Sequence, residues 1–205
     1  MIPKTTGTYF GQSRSVGKIY TIVGNGTGSF AGDGNVATNG SIRAPQGLAF
    51  DAIGNLYFAD SSNNRIRMMP KTTGTYYGQS MTANYLYTIA GNGTGAYGGD
   101  GTLATSGSLR VPIGLTFDNY GHLLIADGTN QRIRMVTGST GSAYGQSVTA
   151  GYLYTIAGNG TQSFAGDSGQ AISAQFNNPS HLAYSTTTGR LYVADLANHR
   201  IRILR

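Results

Sequence analysis

Three histidines (His122, His181 and His199), eight aspartates and no cysteine or glutamate are the residues from which this 205-residue chain could build a catalytic or metal site. A metal centre or an acid–base pair needs such groups to converge on one point. The aspartates recur instead of converging. Asp33, Asp100 and Asp167 share one spacing, Asp51 and Asp118 a second, and Asp60, Asp127 and Asp195 a third. Five residues after each of the last set stands an arginine (Arg65, Arg132, Arg200) that opens an Arg-Ile-Arg triplet. A charged pair repeated three times reads as structural, with the aspartate capping a turn and the guanidinium lying across it. Asp33, Asp100 and Asp167 follow glycines, and calcium would want six or more oxygens from several neighbouring carboxylates. One aspartate per repeat falls short, so a loop cap is expected there.

The histidines occupy three different repeat positions, aligned with Asn55, Gly114 and Gln131. Pseudo-symmetry cannot bring them together. No carboxylate sits at a unique position to act as a base, and no nucleophile motif surrounds the many serines and threonines. Neither a cofactor nor a metal is expected. His181 and His199 lie in the same copy and remain binding candidates. Arg43 and Arg110, near a Gly-rich connection, and Tyr97 within it, complete the binding set, because arginine and tyrosine are favoured contact residues.

What positions these residues is a repeat. Tyr20, Tyr87 and Tyr154 open closely similar segments at a constant step of 67 residues, and Pro45, Pro112 and Pro179 keep that step. From Asp127 to Asp195 the step is 68, because the turn STTTG holds one extra residue. The units run approximately over 1–69, 70–136 and 137–205, forming one domain over 1–205. Residues 1–3 align with 68–70, so the repeat is already running at the first residue, as in a segment of a longer array. Within each unit, short branched or aromatic runs separated by turn residues predict antiparallel strands. These strands, a to c, fall near 46–51, 55–60 and 65–69, and again near 113–118, 122–127 and 132–136, with a third set ending at Leu204. Strand d is expected at 18–23, 85–90 and 152–157. Residues 3–17, 70–84 and 137–151 read as loops.

The pattern P-x-G-L-x-F-D…G-N-L-Y-x-A-D-x-x-N-x-R-I-R resembles the NHL repeat, and the flanking YTIAGNGTG and AGDG segments are similar to those of bacterial NHL proteins. The third copy departs from it at His181 and Ser185. The resemblance implies an all-β fold: a β-propeller of NHL-type blades, with three four-stranded blades' worth in this chain, half of a six-bladed ring. It also implies three functions to weigh. A recognition or scaffold propeller that binds a protein, peptide or glycan through face loops fits the loop tyrosines. A metal-dependent lyase is weakened by the scattered histidines. RNA binding is weakened because the third copy has Phe176 or Asn177 where the others have arginine.

Composition bounds the remainder. Charged residues are 11% of the chain, glycine numbers 32, and the formal net charge is +6. Six arginines are locked into the repeated triplets, so the basic balance argues against a nucleic-acid partner. No run is long and apolar enough to span a bilayer. Low charge with abundant Gly, Ser, Thr, Asn and Tyr suits an exported, extracellular or surface-attached bacterial protein. Three blades do not close a ring, since propellers use four or more. Residues 18–23 (Lys18, Ile19, Tyr20, Thr21, Ile22 and Val23) match strand d without a blade of their own, and the last blade lacks that strand. A homodimer exchanging this strand is therefore expected.

Overall fold

The computed structural model describes residues 4–205, and the alignment of residues 1–3 lies outside them. Among the described residues every regular element is a strand or a single 3-10 turn. A hairpin of β1 (Gly7–Tyr9) and β2 (Gln12–Arg14) comes first, then the short β3 (Asn35–Val36). Blade 1 holds β4 (Pro45–Phe50), β5 (Leu56–Asp60) and β6 (Arg65–Met69), then the hairpin β7 (Gly74–Tyr76) and β8 (Gln79–Met81), then β9 (Tyr85–Ala90). Blade 2 repeats this. The short β10 (Thr102–Leu103) precedes β11 (Pro112–Phe117), β12 (Leu123–Asp127) and β13 (Arg132–Val136). The hairpin β14 (Gly141–Ala143) and β15 (Gln146–Val148) leads to β16 (Tyr152–Ala157). Blade 3 has β17 (Pro179–Ser185), β18 (Arg190–Asp195) and β19 (Arg200–Leu204).

Two sheets have five strands, ordered β3-β9-β6-β5-β4 and β10-β16-β13-β12-β11, and blade 3 has three, ordered β17-β18-β19. All blade strands pair antiparallel. The first strands of the blades lie side by side, β11 against both β4 and β17, so they line an axis from which the sheets fan outward. The second strand of blades 1 and 2 is buried on both faces, which is why LYFAD and LLIAD read as continuous apolar runs. The cores lie between sheets. One joins Ile66 and Met68 of blade 1 to Leu115, Leu123 and Ile125 of blade 2, and the other joins Ile133 and Met135 to Phe176, Leu191 and Val193.

The two end blades each leave a face uncovered. Leu115 is 6% exposed, but its equivalent in blade 1, Leu48, is 67% exposed. Ile133 is fully buried, whereas its equivalent in blade 3, Ile201, is 71% exposed. Burying such a side chain is worth about 1.5–3 kcal/mol, so each open face forfeits several kcal/mol that a neighbouring blade supplies inside the chain.

Two sequence expectations change. Residues 18–23 form no strand. Their equivalents β9 and β16 pair with β6 and β13. Ile22 and Val23 still cover Leu56, Phe58 and Leu86, but Ile19 is 79% exposed. Second, the segments read as loops each contain a hairpin. Its two-residue turn is Phe10-Gly11, Tyr77-Gly78 or Tyr144-Gly145, both residues at positive φ. That geometry usually announces itself as Asn-Gly or Asp-Gly; an aromatic residue in the first position hid it.

Candidate functional site

On one face of the fan, the connection into each blade meets the turn between its second and third strands. The carboxylate of Asp127 is fully buried there. Its Oδ1 accepts the Arg110 backbone N–H at 2.8 Å, and its Oδ2 accepts the Asn130 amide at 2.8 Å and Arg134 Nη1 at 3.2 Å. Arg134 Nη2 reaches Asp100 at 2.7 Å. Blade 1 repeats the arrangement with Asp60, Arg67 and Asp33, and blade 3 with Asp195, Arg202 and Asp167. The sequence pairs Asp60, Asp127 and Asp195 with Arg65, Arg132 and Arg200; the structure puts the second arginine of each triplet on the carboxylate. Residues two apart on a strand share a face, but only the second one points back along the blade to both acids. Burial pushes the Asp127 carboxyl up from its ordinary value, opposed by Arg134 and the hydrogen bonds.

The first arginines do something else. Arg132 donates to the Asn130 and Asn159 carbonyls at 2.9 and 2.7 Å and stacks 3.7 Å over the Tyr97 ring. Arg65 stacks on Phe30 at 3.7 Å and Arg200 on Phe164 at 3.8 Å. Arg200 keeps only the Asn198 carbonyl, because blade 3 has no fourth strand leading to an equivalent of Asn159.

The proposed binding residues do not form one cluster. Arg43 and Arg110 are exposed side chains on this face, their backbone N–H groups held by Asp60 and Asp127. Tyr97 is 45% exposed, but its hydroxyl donates to Asp100 at 2.9 Å and its ring carries Arg132. His199 is exposed in a left-handed turn position, and His181 is exposed on β17 with Nδ1 3.3 Å from Ser180 Oγ. The third histidine, His122, is buried, and its Nδ1 accepts the Gly138 N–H at 3.0 Å. No group of three or more His, Cys, Asp or Glu able to hold a metal occurs among the described residues.

The opposite face carries Asp51, which accepts two backbone N–H groups, the Asn55 amide and the Tyr57 hydroxyl at 3.1 Å. Burial raises the Tyr57 phenol, and Tyr77 is pushed up to about 12, again mainly by burial. Tyr57 therefore stays a neutral donor. Its ring also meets Phe117 edge-on at 4.9 Å, across the junction of blades 1 and 2. Tyr57→Phe keeps that contact and removes the hydroxyl's two hydrogen bonds, to Asp51 and from Tyr77, so urea unfolding should show a loss of about 1–3 kcal/mol.

The sequence expects blade 3 to lack its fourth strand, and the structure adds the shape of the groove this leaves. In blades 1 and 2 the fourth strand lies between the third strand and the short β3 or β10. In blade 3 the equivalents of those short strands, residues 169–170, face β19 across a cleft of about 660 Å³. Its lining includes Asp167, Ala174, Phe176, Arg202 and Leu204.

The family profile of the NHL repeat matches residues 176–204. Teneurin-m of Drosophila melanogaster is 32% identical over 119 residues, covering 55% of this chain and 4% of Teneurin-m. An auxiliary nutrient binding protein of Bacteroides thetaiotaomicron superposes with a TM-score of 0.53 at 17% identity, over 76% of this chain and 36% of that one. A phosphatase candidate of the same organism gives 0.54 at 19% identity, over 76% and 33%. The chain thus spans about a third of the solved structures and a small part of Teneurin-m. No helix is long and apolar enough to cross a membrane. The third copy matches the NHL repeat by profile, the other two share its strand order and residue pattern, and all three fold as blades of a β-propeller.

Proposed function

We propose that this chain is a non-enzymatic recognition or scaffold propeller that pairs with a second copy to complete six blades. It binds a protein, peptide or glycan through the face bearing Arg43, Arg110 and Tyr97. One observation carries the pairing. Blade 3 has an open groove where blades 1 and 2 hold their fourth strand, while residues 18–23 repeat that strand's sequence and form no assigned strand. An added strand would satisfy the free backbone edge of β19, and twofold exchange would leave no edge open. The binding role draws support from how the repeated charges are used. Aspartates and arginines that could form a reactive site are tied to each other, blade by blade, leaving Arg43 and Arg110 outside those clasps. The likeness in fold to a nutrient binding protein agrees with a binding role. The low charge and the Gly-, Ser- and Asn-rich loops agree with an extracellular or surface location.

The test is the mass in solution. Light scattering across a dilution series should give twice the 21.4 kDa chain mass at high concentration. A compact monomer at every concentration would refute the pairing. Ligand arrays of glycans and peptides would then examine the exposed face, with Arg43→Ala/Arg110→Ala expected to weaken whatever binds.

A further inference from the structure

The face that blade 3 turns toward a following blade differs from those of blades 1 and 2 at three positions where they touch their neighbour. Gly47 lies on β4 with the next blade's backbone directly against it. A Cβ there would stand 2.3 Å from the Ile113 carbonyl oxygen and 3.0 Å from Gly114 Cα. Gly114 meets blade 3 in the same way, a Cβ falling 2.4 Å from the Ser180 oxygen and 2.8 Å from His181 Cα. These neighbours are main chain and cannot swing aside. In blade 3 the equivalent residue is His181. A second position agrees. The buried Ser61 hydroxyl donates to the Pro112 carbonyl of the next blade at 2.5 Å. Its equivalents are Gly128 and then Leu196, which has no donor and is 54% exposed. At a third position the side-chain oxygens of Asn64 and Gln131 accept backbone N–H groups of the following blade, from Val111 at 3.0 Å and Asn178 at 2.6 Å. His199 stands there in blade 3.

We propose that the junction after blade 3 is of a different kind from the two within the chain. A second copy adds its strand 18–23 at the rim, but its blade 1 is held away from the axis by His181 and Leu196. The inference rests on the self-association described above. The strand pairs on β19, at the outer edge of the sheet, whereas His181 lies on β17 at the axis. The partner can therefore be gripped at the rim while β17 and β4 of the partner subunit stay apart. Seated as β11 seats on β4, the Gln46 carbonyl of the partner subunit would fall on His181 Cβ. The seam must open inward by an ångström or more. Each assembly thus has two tight junctions per chain and one loose one, and the loose one sets where the ring parts.

Two sets of variants test this. Gly114→His places the blade 3 side chain in an internal junction, and the melting temperature should fall by roughly 5–10 °C. A melting curve like the parent's would overturn the proposal, because the junction would then tolerate an imidazole. His181→Gly removes the obstruction, and sedimentation should show the dimer dissociation constant falling at least tenfold. His181→Ala, which keeps the Cβ, should tighten it much less. Equal dissociation constants for parent, His181→Gly and His181→Ala would overturn the proposal while leaving the dimer intact. If parent and His181→Gly both stay monomeric at all concentrations, self-association itself fails, and the proposal with it.

Discussion

Arg134→Ala should be among the most damaging single substitutions in the chain, lowering stability by about 3–5 kcal/mol in urea or guanidinium unfolding. The guanidinium is fully buried and bridges Asp127 at 3.2 Å and Asp100 at 2.7 Å, while also donating to the Ser108 and Gly98 carbonyls at 3.2 and 3.1 Å. Removing it leaves the Asp127 carboxylate in the interior with only an amide and one backbone N–H. The neighbouring Arg132→Ala should cost about 1–3 kcal/mol, since Arg132 bonds two carbonyls at a partly exposed site and stacks on one ring. The order is the discriminating result. If Arg132→Ala proved the more severe, the first arginine of the triplet would be the clasp after all.

The same substitution carries a pH signature. Burial already raises the Asp127 carboxyl, and Arg134 is the largest influence holding it down. Without Arg134 its folded value rises further above the unfolded one. A carboxyl raised on folding binds a proton more tightly in the folded state, so it favours folding at low pH and penalises it as pH rises through the folded value. The Arg134→Ala penalty should therefore shrink as pH is lowered from 7 toward 4. A penalty unchanged with pH would show that Asp127 had found another partner or solvent.

The all-β blades were legible because their code is local and threefold. Tight turns separate short apolar runs, and the 67-residue step repeats the signal. The choice between Arg132 and Arg134 was not legible. Both recur in every copy, and being two residues apart they share one side of β13, so the sequence does not say which of them reaches the buried acid. The hairpins were hidden by Tyr77-Gly78 and its equivalents, which take a turn usually given to asparagine. The role of Tyr97, a candidate for binding, was the least legible, since it marks a loop in either role and only the structure places it beneath Arg132. The departures His181 and Leu196 could be read as substitutions in the repeat. Their meaning needed the backbone of the next blade, which approaches to contact distance only in three dimensions.

Ile19→Lys should leave the folded monomer intact and remove the dimer. Ile19 is 79% exposed, so a lysine there costs the monomer little. Its equivalents Leu86 and Leu153 are fully buried beneath the fourth strand's neighbours. In the exchanged assembly Ile19 would enter the groove of blade 3 in each of two copies. Losing about 1.5–3 kcal/mol of burial per site totals at least about 3 kcal/mol, or more than a hundredfold in dissociation constant, before the cost of burying an ammonium. Deleting residues 1–23 should also abolish the dimer, but it strips Ile22 and Val23 from Leu56 and Phe58 and exposes a further patch to aggregation. The point variant is therefore the cleaner probe. The groove offers a finer one. Leu86 lies over Gly40 and Leu153 over Gly107, so closely that a Cβ would meet the leucine methyl at 2.5 and 2.6 Å. The third groove has Ala174 at that position, and residues 18–23 carry isoleucine, Ile19, instead of leucine. Ile19→Leu alone should then weaken pairing by collision with Ala174, and Ala174→Gly alone by leaving a hole. Together they recreate the internal pair and should recover most of the affinity, a coupling that a double-mutant cycle reads directly. Additive losses in that cycle, or an Ile19→Lys chain that still dimerises with the parent's dissociation constant, would place residues 18–23 outside the groove.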